Sequence, residues 1–121
     1  MHSGFFNFLS SLQLSLTMHS EQTPAVFMKQ TTESLQRIFN DDGLEQCNNY
    51  EKLKEALTSR LIFLLLNEME KLLHILYRID VNEKKVKEAF AQNNPKHIAP
   101  ILAELIIERE TQKVISRHKH R

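Results

Sequence analysis

Only five residues in this 121-residue chain are strong breakers of regular structure: the glycines Gly4 and Gly43 and the prolines Pro24, Pro95 and Pro100. Sheets joined by tight turns need many more such residues, so the scarcity argues against a strand-rich fold and fits helices joined by few loops. Valine is also sparse, while leucine dominates the apolar side chains and isoleucine follows. That composition favours helices over strands. Cys47 is the sole cysteine, which excludes an intrachain disulfide and zinc held by paired cysteines. It also points mildly to a reducing, cytoplasmic setting. Neither glycine has a second one near it, so no glycine-rich loop is available to cradle a phosphate.

A strong excess of one charge is missing too. The net charge is +1, but it is unevenly spread. Residues 1–50 carry five acidic and two basic side chains, residues 51–94 seven and eight, and residues 95–121 three and six. This is a mild gradient, not the footprint of a nucleic-acid-binding domain. Long apolar runs are absent as well. The run at residues 61–66 is six residues long and flanked by charge, far short of the roughly 20 residues needed to span a bilayer.

What is present reads as a single helical domain over residues 1–121, with residues 1–20 a possible N-terminal appendage. The segment 5–18 is uncharged and apolar, yet it lacks a preceding Lys or Arg and a small-x-small cleavage site, so it is a poor signal peptide. Phe5, Phe8, Leu9, Leu12 and Leu16 share a helical face. Met18 opens a second Met-His-Ser triplet and could be an alternative start.

Four further helices are expected. Thr23 and Pro24 read as an N-cap and a first helical position. The helix they begin should run to about Asn40 and bury Phe27, Ser34, Leu35 and Ile38, with Gly43 taking the left-handed conformation that stops it. Residues 50–79 contain no glycine or proline and predict one central helix of about 45 Å at 1.5 Å per residue. Stepping 100° per residue, Leu57, Leu61, Leu64, Leu65, Met69, Leu72, Leu73, Ile75, Leu76 and Ile79 form an apolar band, widened by Ile62 and Leu66 to about twice the usual stripe. Such a helix must touch neighbours on two sides. Asp80 and Glu83 have capping-box spacing for a short helix over 81–92 that contacts the core through Val86, Ala89 and Phe90. The last helix should turn Ile98, Leu102, Leu105 and Ile106 inward. It should start near His97, where Pro100 is tolerable, and end near Ser116, leaving residues 117–121 as a flexible basic tail. The fold expected is all-α, a small bundle of four to five helices around one long central helix.

The stretches Leu76-Tyr77-Arg78-Ile79-Asp80-Val81-Asn82-Glu83 and Ala103-Glu104-Leu105-Ile106-Ile107-Glu108-Arg109 resemble segments of small all-helical bacterial proteins of no assigned activity. The resemblance covers the C-terminal half and implies a bacterial cytoplasmic helical protein. It brings no functional residues with it.

Chemical constellations are weak. Glu70 and His74 are four positions apart and have no second copy, unlike the repeated Glu-x-x-His of di-iron bundles. His118 and His120 lie in one short terminal segment with no acid among residues 111–121, a poor metal site. Cys47 has Asn, Gln and Glu as neighbours, none of which would activate a thiol. No catalytic, cofactor or metal site is therefore expected, and no small-molecule substrate, membrane or enzyme activity.

Two readings from different classes remain. The leading one is a structural or protein-interaction bundle that self-associates as a dimer. Its candidate interface surrounds Phe63, which falls opposite the leucine band among Ala56, Glu70 and His74. The alternative is a small regulatory or nucleic-acid-binding module using Lys113, Arg117, Lys119 and Arg121. Glu104, Glu108 and Glu110 just upstream dilute that field, and cations there also complement the helix dipole. The same holds for Lys84, Lys85 and Lys87, which read as the wet face of a short helix.

Overall fold

A computed structural model describes residues 24–119 of the chain. The expected helix within residues 5–18, the Thr23 cap and Arg121 lie outside these residues. Among the described residues the fold is all-α: α1 (Ala25–Phe39), a 3-10 turn (Asp42–Gln46), α2 (Tyr50–Asn67), α3 (Met69–Ile79), α4 (Glu83–Phe90) and α5 (Pro95–Lys119). No described helix is long and apolar enough to cross a membrane.

The core is built mainly between α2 and α5, with α1, α4 and α3 also packed on α5. Leu53, Leu57, Leu61 and Leu64 recur at steps of three and four residues and are all fully buried, the pattern of one inward helix face. On α5 the residues buried in this core are Ile98, Ala99, Leu102, Ala103, Ile106 and Ile107. Ala99 and Ala103, both fully buried one turn apart, remove side-chain bulk where the helices must approach. As expected from the sequence, Ala89 of α4 is buried while Val86 and Phe90 lie partly buried against the same core.

The single central helix over 50–79 is not formed. Glu68 leaves helical geometry at φ −144° and ψ 61°, and ends α2 where α3 begins. Hydrogen bonding bridges the break, with Glu68 N–H donating to the Leu64 carbonyl at 2.8 Å and Leu72 N–H to the Glu68 carbonyl at 3.1 Å. Asn67 Nδ2 also donates to the Phe63 carbonyl at 3.0 Å, the local side-chain bond by which asparagine competes with a continuing helix. Only part of the broad apolar band is buried: Leu53, Leu57, Leu61 and Leu64 on α2, and Leu72, Ile75, Leu76 and Ile79 on α3. Leu66, Met69 and Leu73, expected inside, are exposed. The longest helix is α5, at 25 residues.

The helix stops also fall elsewhere than expected. Asn40, not Gly43, takes the left-handed conformation after α1, at φ 52°, and Gly43 instead donates its N–H to Asp41 Oδ1 at 2.9 Å in the 3-10 turn. Pro24 precedes α1 as its N-cap instead of standing at its first position. Pro100 is the sixth residue of α5, which begins at Pro95. The Lys96 carbonyl therefore loses its helical donor, in an exposed first turn where water can serve it.

Asp80 is the left-handed C-cap of α3 (φ 67°, ψ 49°) and not the N-cap of α4. That role belongs to Asn82, whose Oδ1 accepts from Lys85 N–H at 3.0 Å. Arg109 of α5 donates to the Asp80 carbonyl at 3.1 Å and to its carboxylate at 3.2 Å, which fastens the end of α3 to α5. Asn82→Ala is accordingly expected to lower stability by about 1 kcal/mol, read from the midpoint of chemical denaturation. An unchanged midpoint would show that the cap contributes nothing.

Candidate interaction surface

Six large apolar side chains stand exposed among the described residues: Val26, Phe63, Leu66, Met69, Leu73 and Tyr77. Five of them follow one another along α2 and α3 at steps of three or four residues, and Tyr77 is 89 % exposed. Single exposed hydrophobic residues are ordinary, but a run of them on one pair of helices is not. On α3 the buried face carries Leu72, Ile75, Leu76 and Ile79, while Met69, Leu73 and Tyr77 face outward.

Of the residues expected to surround Phe63, Glu70 and His74 are exposed. Phe63 itself is 45 % exposed, with the Arg60 guanidinium carbon 5.4 Å from its ring centroid, within cation–π range. Ala56 is a correction: it packs against the core cluster and is only partly exposed. Leu66, Met69, Leu73 and Tyr77 were not singled out as surface residues, since a continuous helix puts the first three in the buried band. The signal available was Asn67-Glu68, two polar residues interrupting the apolar run.

The basic residues of the alternative reading do not gather into one free patch. Lys113 Nζ lies 3.5 Å from Glu110 Oε1 and is partly buried. Arg117 lines a shallow cleft of about 180 Å³ with Gln30, Glu33, Arg37, Val114 and His118. The tail expected from residue 117 onward is helical as far as Lys119, and the His118 ring meets Phe27 edge-on with centroids 5.2 Å apart. Among the described residues, no cluster of three or more His, Cys, Asp or Glu could hold a metal ion.

Two titrating groups bear on chemistry. The Cys47 thiol contacts the Lys52 carbonyl at 3.6 Å. Burial, reinforced by Asp41, pushes its pKa up despite nearby Lys52, which disfavours the nucleophilic thiolate. Burial likewise raises the Glu108 carboxyl, against the opposing pull of Lys85 and with a further push from Glu104. Its stabilising contribution is full below the ordinary carboxylate value and fades as pH rises through the raised one.

No protein-family model, curated protein or solved structure matches this chain.

Proposed function

We propose that this protein is a non-enzymatic helical bundle that acts by association, and that it self-associates through the exposed apolar run on α2 and α3. The observation that carries this reading is the exposure of Phe63, Leu66, Met69, Leu73 and Tyr77 in close succession. Covering a large apolar side chain is worth about 1.5 to 3 kcal/mol, and twofold pairing is the commonest way for one chain to cover its own patch.

The test is light scattering on the wild-type protein and on Leu73→Glu and Phe63→Ser, from micromolar to millimolar concentration. Wild type is expected as a dimer, and Leu73→Glu as a monomer with unchanged helical circular dichroism. Phe63→Ser should lie between them, since Phe63 stands on the other side of the bend. A wild-type protein that stays monomeric throughout would overturn the reading.

A further inference from the structure

The exposed face of α3 carries two stripes side by side. Met69, Leu73 and Tyr77 form an apolar one at steps of four residues, and all three are exposed. Glu70, His74 and Arg78, also at steps of four and also exposed, form a polar one displaced by a single residue. The polar stripe has an acid at the start of the helix, a base at its end and a histidine between. None of these three side chains has an ion pair or side-chain hydrogen bond among the described residues. Each stripe is centred on Leu73 or His74, near the middle of the 11-residue helix.

We infer that two copies of the chain pair through α3 in antiparallel, twofold fashion, with the dyad at Leu73 and His74, an arrangement that rests on the self-association proposed above. A twofold axis perpendicular to a helix pair reverses direction and keeps each flank on its own side. It therefore sets residue i opposite a residue whose number makes a constant sum with i. With the dyad midway between Leu73 and His74, that sum is 147. Met69 with the second copy's Tyr77 and Leu73 with Leu73 fall one residue short of it, while Glu70 with Arg78 and His74 with His74 fall one residue beyond, an offset of about 1.5 Å along the axis that side chains span. Every contact is apolar on apolar or opposite in charge, apart from the central histidines, which meet each other. A parallel pair would instead set Glu70 against Glu70 and Arg78 against Arg78. An isologous interface requires this kind of self-complementarity.

The occupant is a second copy rather than the chain's own N-terminal segment. Residues 1–20 contain no Asp, Glu, Lys or Arg. They offer apolar side chains to the first stripe but no carboxylate, lysine or arginine to pair with Glu70 and Arg78 on the second. Covering those two charges with an uncharged segment would cost desolvation without a partner.

The experiment uses the full chain and reads the dimer dissociation constant by analytical ultracentrifugation at low salt. Glu70→Arg and Arg78→Glu each convert two attractions into two repulsions and should each weaken the dimer by roughly tenfold or more. The double variant Glu70→Arg/Arg78→Glu restores opposite charges across the dyad and should return close to wild type. Raising the salt should shrink all these differences. A second measurement uses oxidation in a Cys47→Ser chain, which removes the only native thiol. Leu73→Cys should give a disulfide-linked dimer. Glu70→Cys should not, because its two copies lie about 10 Å apart along the axis, beyond the reach of a disulfide. A wild-type dimer indifferent to both charge reversals, or linked through residue 70 and not residue 73, would overturn this pairing while leaving self-association intact. A monomeric wild type would overturn both.

Discussion

Leu61→Ala is expected to lower the free energy of unfolding by about 3 to 5 kcal/mol, and Leu66→Ala to leave it within about 0.5 kcal/mol of wild type. Leu61 is fully buried on the α2 face, and α2 makes its most extensive contact with α5. Truncating a fully buried leucine costs the lost transfer free energy of the removed atoms and the cavity they leave behind. A total stability of about 5 to 15 kcal/mol is typical, so this one change should remove a large share of it. Leu66, five residues on, is 65 % exposed. Urea denaturation of the two variants tests whether α2 buries the Leu61 face and leaves Leu66 in water. Equal losses would mean that the apolar band of α2 is buried across its whole width.

The contrast between Leu61 and Leu66 shows where the fold could be read in the sequence and where it could not. The scarcity of glycine and valine, the leucine periodicity and the polar connections were enough for an all-α bundle. The periodicity also identified the buried residues on both sides of Glu68: Leu57, Leu61 and Leu64 before it, and Leu72, Ile75, Leu76 and Ile79 after it. What it could not give was how much of the wide apolar band is covered, because that depends on which neighbours reach it, and Leu66, Met69 and Leu73 at its edge stand in water.

Helix stops went astray for a different reason. With only two glycines in the chain, the left-handed positions fall to Asn40, Asp80 and Asn93, residues whose short polar side chains tolerate that conformation. Asp80 and Glu83 have the spacing of a capping box, but so many Asn and Asp surround the turns that spacing alone could not choose between Asp80 and Asn82. Of the candidate site, Phe63, Glu70 and His74 were legible as an outward group. The stripe of Met69, Leu73 and Tyr77 beside them was not, since its first two members belong to the apolar band and only the packing shows that this edge of it is left uncovered.

The attachment of α1 to α5 includes a buried polar cluster beside its apolar contacts, and this yields the second large effect. Thr31, Thr32 and Ser34 are buried on α1, and Glu110 is only 3 % exposed on α5. Ser34 Oγ donates to Glu110 Oε2 at 2.5 Å, and the hydroxyls of Thr31 and Thr111 are 3.2 Å apart. Glu110 Oε1 has no hydrogen-bond partner, with Lys113 Nζ at 3.5 Å as its nearest cation. The carboxylate thus depends on Ser34 for its one good hydrogen bond. Removing one partner of a buried charged group costs more than removing both, because the remaining charge stays desolvated and unmatched. Ser34→Ala is therefore expected to cost about 2 to 3 kcal/mol, against about 1 kcal/mol for Thr31→Ala, whose partner is a neutral hydroxyl. The double variant Ser34→Ala/Glu110→Leu should lie within about 1 kcal/mol of wild type, since an apolar side chain replaces the charge in a site flanked by Leu35 on one helix and Val114 on the other. Urea denaturation of wild type, Ser34→Ala, Glu110→Leu and the double variant tests the non-additivity directly. If the double variant loses as much as its two single changes summed, Glu110 is not held by Ser34, and the buried carboxylate owes its stability to Lys113 alone.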